Sequence, residues 1–358
     1  MNARILDRYL LREAGLSWLA VTAVLLGIML STRFARFLAE AAAGELPREI
    51  LFKVVALSSM QYLVILIPVS LLLAVMLALG RLYKEQEVTA MTACGVGIAG
   101  LYRPFFGLAV ILAALTGLLA LELGPWAGRQ VDYLVKDARR LVQYAPFEAG
   151  QFKEVAGGRA VFYTARLPDG GRQMEDVFIH IADPEYAGVV TARRGVQSVE
   201  PETGERQIPL FDGYRYAGQS GQLDYEIARF GEYGTRVTPP DFIYTSAKRK
   251  VASTAELMAS DDLEDKAELQ WRIAAPVTVL LLVLLAVPLS HAKPRQGRYG
   301  KLVYGIVAYL VYVNLLGLGQ AAITGGVLPP ALGMWWVHAL VLGAAMLLIA
   351  RRSGWGRG

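Results

Sequence analysis

The chain has 358 residues, of which 54% are apolar and only 19% charged, and its mean hydropathy is +0.38. A soluble globular domain carries about 25% charged residues, so this balance excludes an ordinary soluble protein and points to the membrane. The net charge of +5 is modest, and a single cysteine, Cys94, excludes an intramolecular disulfide.

Taken in chain order, Arg4, Arg8 and Arg12 recur every four residues, with Ile5, Leu6, Tyr9 and Leu10 beside them. On a helix they form one basic stripe. The segment reads either as a helix lying in the membrane interface before the chain turns into its first span, or as an ordinary positively charged flank. Spanning a bilayer takes about 20 apolar residues in a helix. Six stretches qualify: 15–35, 53–79, 98–123, 272–290, 301–321 and 333–350. The first is too long for the core of a cleaved leader, and the small-residue run "AEAAAG" lies too far along to be its cleavage site. Beyond the first residue of each span charges are rare, Arg33, Arg103 and Glu122 being the exceptions, and Pro68 and Pro276 are tolerable in membrane helices.

Arg33 and Arg36, in "STRFARFL", stand three residues apart and share a helix face. A cation at the edge of a span is a functional-site signal, and its natural ligand is an anionic head group held through bidentate arginine–phosphate contacts. The alternative is that both snorkel to the outer head groups.

After the second span comes "GRLYKEQEVTAMTACGVG", which packs Arg81, Lys84, Glu85 and Glu87 into seven residues. The pattern predicts a short helix ended by the pair Gly95 and Gly97. Lying flat on the membrane face, it could dock in a soluble partner, with Glu85 and Glu87 meeting basic groups and Val88 and Met91 offering apolar contact. The alternative is a solvated loop whose charges keep it out of the bilayer.

From residue 128 the composition changes. "VDYLVKDARRLVQ" reads as helical, and then "GRAVFYTARL", "DVFIHIA", "VVTARRGVQSV", "QIPLFDGYRYAG" and "LDYEIARFGEYGTRV" read as strands separated by turn signals. This is the pattern of an antiparallel sandwich or barrel-like domain. Alternation in "AVFYTARL" and "VFIHIA" implies one buried and one polar face, or an open apolar interior. Helical character returns in "STAELMASDDLEDKAELQWRIA" and leads into the fourth span. The organisation is therefore residues 1–127 with the N-terminal helix and three spans, 128–265 as an inserted all-β domain with helical flanks, and 266–358 with three more spans.

Lysine and arginine near span ends set the orientation. They gather at the N-terminus, at Arg81, Lys84 and Arg103, at Lys293, Arg295, Arg298 and Lys301, and at Arg351, Arg352 and Arg357. The opposite loops are poor: "AEAAAGELPREI" holds one arginine and three glutamates, and "AAITGGVLPPALG" holds no charge. Both termini and residues 81–97 are thus expected in the cytoplasm, and the β domain outside.

His180, His291 and His338 lie far apart, so no metal cluster is expected, and H-E-x-x-H, G-x-S-x-G and paired-cysteine motifs are absent from the sequence. Cys94 reads as a small packed side chain. The nearest approach to a phosphate-binding loop, "GRYGK" at 297–301, lacks the spacing that wraps phosphates in backbone N–H groups. If the protein's work uses ATP, another chain binds it. Two other readings were open: a membrane-anchored sensor or scaffold whose outer domain binds a ligand, and a lipid-modifying enzyme, for which no convergent nucleophile, base or metal set is visible.

The strings "RYLLREA", "GRLYKEQEVTAMTACG", "GPWAGRQ", "GQFKE", "AELQWRIAAPVTVLLLVLLAVPLS" and "PRQGR" together resemble the inner-membrane permeases of the lipopolysaccharide-export ABC transporter, the LptF/LptG family, and the F type more than the G type. The resemblance runs along most of the chain. It implies an α-helical membrane protein with six transmembrane helices, three plus three, around an inserted periplasmic β-jellyroll. It also implies a non-catalytic transport subunit that binds no cofactor itself. ATP and Mg would sit on a cytoplasmic P-loop ATPase dimer. Further implied partners are a second, homologous G-type permease, a periplasmic jellyroll bridge protein and lipopolysaccharide, with no nucleic acid. By the same resemblance the helix after the second span is the coupling helix, where Arg81, Glu85, Glu87 and Met91 meet the ATPase. Arg33 and Arg36 would line the lipid cavity. The apolar faces of "AVFYTARL", "VFIHIA" and "GVVTA" would shelter acyl chains.

Overall fold

The computed structural model describes residues 3–42, 46–143, 149–155, 160–168, 173–181, 188–196, 198–199, 206–218, 226–237, 249–291 and 300–353. The "PRQGR" string, with Arg295 and Arg298, lies outside them, as do Lys293 and Arg357.

The first helix, α1, runs unbroken over Ala3–Ala42, about 60 Å at 1.5 Å per residue. The interface helix and the first span are therefore one element, not two joined by a turn. Between them stands only Gly15, in open space, and one glycine costs a helix about 1 kcal/mol without stopping it. Then follow α2 (Leu51–Lys84), α3 (Glu87–Ala93), α4 (Ile98–Leu118), a π-helical turn (Leu119–Leu123) and α5 (Gly124–Gln143). After the strands come α6 (Thr254–Ala259), α7 (Leu263–Leu289), α8 (Gly300–Thr324) and α9 (Trp335–Ser353). Five helices are long and apolar enough to cross a membrane, and Trp335–Arg351 is a shorter sixth. The six expected spans coincide with these helices, 98–123 running from α4 through the π turn, except that Ser290 lies just past α7 and Gly333 and Met334 just before α9.

The chain divides into two compact units. One comprises Met1–Ala39, Arg48–Leu134 and Thr245–Gly358, and the other Glu40–Pro47 with Val135–Tyr244. In the helical unit α7 is central and packs against α2, α4, α8 and α9. Leu71, Leu72, Leu79, Phe105, Leu282 and Val283 are buried together there. α1 joins that core through Leu10 and Ala14 but lies mostly outside it beyond them: 11% of its apolar window is buried, against 61% for α2.

Two motifs without an assigned role acquire one in this unit. The π turn leaves a carbonyl outside the helical ladder, and the Thr254 hydroxyl donates to it at Leu121. A Cβ at Gly124 would collide with the Leu119 carbonyl, and one at Gly128 with Gln61 and Val251, so both glycines of "GPWAGRQ" answer to close approach. In "AELQWRIA", the Glu268 carboxylate accepts from Arg272 Nε at 3.1 Å, both residues being buried. The same guanidinium donates to the carbonyls of Ala252 (3.0 Å) and Arg249 (3.2 Å). Gln270 donates to the Pro330 carbonyl and accepts from Met334 N–H. One turn of α7 thus holds two returning stretches of chain.

The helical run expected over "STAELMASDDLEDKAELQWRIA" is two helices. Ser253 and Glu256 form a reciprocal capping box on α6. Asp262 caps α7 by accepting from Glu264 N–H at 3.0 Å. That backbone bond, with the ion pair to Arg249, holds the Asp262 carboxyl below its ordinary range.

The second unit carries a seven-stranded antiparallel sheet: β1 (Phe152–Val155), β2 (Ala160–Arg166), β3 (Gln173–Ile181), β4 (Gly188–Val196), β5 (Ser198–Val199), β6 (Arg206–Ala217) and β7 (Glu226–Val237). β1 to β4 pair in sequence order, β6 pairs β4 and β7, and β5 continues β4's register along β6. The described strands form a meander, and β1, at "QFKE", was not expected from the pattern. Phe162, Val177, Ile179, Val190, Ala192 and Leu210 make one buried face. Asp176 and Asp212 have left-handed backbones (φ 52° and 54°), a conformation aspartate tolerates better than most residues. The shift at Asp176 lets Met174 and Val177, three residues apart, both be buried.

Candidate functional site

Residues 81–97 are built from three local devices. Glu85 caps α2, and Gln86 takes a left-handed backbone (φ 61°) that starts α3 in a new direction. At the far end Gly95, at φ 86°, donates to the Thr92 carbonyl while Val96 N–H reaches back to Met91. This is the Schellman closure, in which a glycine takes the left-handed position and apolar residues meet across the turn. Gly95 is therefore the terminator, whereas Gly97 is extended and opens α4. Val88 and Met91 turn inward into the helical core at 3% and 8% exposure. Met91, expected to offer contact to a partner, is turned mainly inward and anchors α3. Cys94, expected to be packed, is exposed as the C-terminal cap of α3.

The charged residues converge. Arg81 pairs with Glu13 on α1 (2.8 Å) and with Glu85 (3.0 Å), and it stands 4.0 Å from Glu87. It also donates to the Tyr9 hydroxyl at 2.9 Å, and Tyr9 in turn donates to Glu87 Oε2 at 2.8 Å. Asp7 pairs with Arg103 at 3.8 Å. Glu85 is the most open of the carboxylates around Arg81, and Glu87 keeps acceptor capacity beyond the single proton of Tyr9. Beside α3 lies a crevice of about 260 Å³ lined by Tyr83, Val88, Met91, Val96, Val287 and His291. Tyr83 and His291 meet edge to face at 5.3 Å across it.

The other predicted pair behaves differently. Arg33 is half-buried with its guanidinium carbon 4.9 Å from the Phe37 ring centroid, a cation–π distance. Its Nε is buried with no hydrogen-bond partner. Arg36 is exposed. Neither arginine makes an ion pair with any described residue. Both sites sit on α1: Tyr9 and Arg33 are separated by about 36 Å of helix. The role of Tyr9 is not legible in the pattern, because partners 72 and 78 residues away leave no local signal, and the same holds for Glu13 and its distant partner Arg81. Glu268, Gln270 and Arg272 did carry one, as polar groups at the mouth of an apolar run.

Six apolar helices, a β unit inserted between the third and fourth of them, and a charged helix anchored by its apolar side define a multi-pass membrane permease subunit. The family described as lipopolysaccharide export system permease LptF/LptG matches residues 8–351, and the chain belongs to it. The lipopolysaccharide export system permease protein LptF of Escherichia coli strain K12 is 29% identical over 347 residues, 96% of this chain and 94% of that protein. The proteins of the same name from Escherichia coli O157:H7 and Shigella flexneri match to the same extent. The chain is accordingly an inner-membrane, multi-pass member of this export system.

Proposed function

We propose that this permease couples ATP hydrolysis on a separate chain to withdrawal of lipopolysaccharide from the outer leaflet of the inner membrane. Both termini and α3 face the cytoplasm, and the β unit stands in the periplasm. A dimer of P-loop ATPases carries the ATP and Mg, a homologous G-type permease completes the cavity, and a periplasmic jellyroll bridge receives the lipid. The observation that carries this reading is α3 itself. It is a seven-residue helix fixed to the core by Val88 and Met91 while Glu85 and Glu87 stay at the surface.

On this reading a basic side chain of the ATPase meets Glu87 and Glu85, and an apolar one enters the crevice beside Met91. Arg81 organises the carboxylates instead of touching the partner. Arg33 and Arg36, unpaired within the described residues, take head-group phosphates. Each CH₂ lifted into water costs about 0.8 kcal/mol, so extraction of a multi-acyl lipid needs both an energy source and shelter. The apolar face of Phe162, Val177, Ile179 and Val190, packed in this structure against Phe230 and Tyr233, would provide that shelter on opening.

The test is recovery of tagged complex from native membranes, comparing Glu87→Ala and Glu87→Lys with the parent. The parent should bring down a P-loop ATPase, a second six-span permease and lipopolysaccharide. The lysine variant should insert normally and lose the ATPase by at least about tenfold, the scale of a charge-assisted contact turned repulsive. Recovery of the parent alone would favour a sensor or scaffold.

A further inference from the structure

The ionic cluster around Arg81 does more than arrange a docking patch, because two of its members belong to a different helix. Tyr9 has one hydroxyl proton, which it donates to Glu87 while accepting from Arg81. Glu87 is thereby held with one edge toward α1 and its remaining lone pairs free. Glu13 fixes Arg81 from the next turn of α1, and Asp7 ties the turn before to Arg103 on α4. Leu10 and Ala14 are fully buried in the same core as Leu82, Val88 and Met91. The first four turns of α1 are therefore fastened to α2, α3 and α4 together.

Above that point α1 packs more lightly on its own chain. Its apolar window is 11% buried, and its contacts are Thr22 donating to Ser70 at 2.9 Å, Phe34 beside Phe52 and the buried Phe37. It contains no proline and no break from Ala3 to Ala42, so its hydrogen-bond ladder is continuous up to Arg33 and Arg36. A continuous helix tied at its foot carries a displacement along its length as a rod. We infer that α1 is a strut: Tyr9 is a positioning residue that ties Glu87 to α1 and passes the displacement of α3 along α1 to the two arginines. Nucleotide-driven movement at the ATPase would then change the grip on phosphate directly, without passing through the α7-centred core. This rests on the docking reading of α3 proposed above.

The experiment uses the assembled complex in nanodiscs with purified lipopolysaccharide. Cys94→Ser removes the native thiol, and Leu38→Cys, at an exposed position on α1, carries a spin label. With Tyr9 present, exchanging ADP for a non-hydrolysable ATP analogue should change the label's mobility. With Tyr9→Phe, which removes one oxygen and keeps the ring, that response should vanish. Lipid released per ATP should fall about tenfold, the worth of one hydrogen bond to a charged group, while ATPase recovery stays within about twofold. An unchanged label response and unchanged release would overturn the strut. So would loss of the ATPase as complete as in Glu87→Lys, because Tyr9 would then belong to the docking surface. If Glu87→Lys retains the ATPase, the docking reading fails first, and the two failures are distinguishable.

Discussion

Arg81 and Arg33 are the same residue type, both half-buried in the helical unit, yet the chain treats them in opposite ways. Arg81 is surrounded by oxygens from Glu13, Glu85, Glu87 and Tyr9. Arg33 has the face of Phe37 and no ion pair with any described residue, although the Nε of each arginine is buried without a hydrogen bond. A cation ringed by carboxylates of its own chain builds architecture, and one without a counter-charge among the described residues at a span's edge is held for something else. The difference separates a residue that shapes a site from one that binds at it, a distinction that their shared chemistry conceals.

Arg272 is the limiting case of the first kind, and it bears the largest expected effect. It is 3% exposed, paired with buried Glu268 and bonded to three backbone carbonyls or hydroxyls within 3.2 Å. Arg272→Ala strands a buried carboxylate, which costs about 3–5 kcal/mol. Thermal unfolding in detergent should show a large fall in Tm, and a melting curve equal to the parent's would break the comparison at its strongest point. The second kind predicts the reverse pattern. Arg33→Glu with Arg36→Glu should weaken lipopolysaccharide crosslinking by about tenfold or more and move stability by no more than about 0.5 kcal/mol. Loss of stability with crosslinking intact would place Arg33 among the architectural arginines.

The smallest effect sharpens how the satisfied cluster is built. Gln86 adopts a left-handed backbone (φ 61°), which costs a residue with a Cβ about 1–2 kcal/mol, and its side chain accepts only an exposed bond from Thr89. Gln86→Gly should therefore stabilise the α2–α3 junction by about 0.5–1 kcal/mol. Hydrogen exchange over residues 85–93 would report it as slower opening, and faster exchange would mean that the bond to Thr89 outweighs the strain.

Legibility followed the range of the physics. The six spans, the short helix after the second and the strands β2, β3, β4, β6 and β7 all show in hydropathy, alternation and turn residues. The break between α6 and α7 is present as cap residues, Ser253 and Asp262, but strong helix formers such as Ala, Leu, Glu and Lys on both sides of it mask the signal. Met91 shows the same ambiguity from the other side. Its type announces an apolar contact, and only the fold says that the contact is inward.

Apolar length, basic flanks and β-alternation are properties of neighbouring residues, and they alone determined a three-plus-three membrane protein with an inserted β domain. A contact between Tyr9 and Glu87, 78 residues apart, depends on where two helices come to rest. So does the choice of which arginine finds oxygens and which does not. The tertiary structure decided those, because a charge becomes a strut, a clamp or a ligand site according to the groups the fold brings within about 3 Å of it.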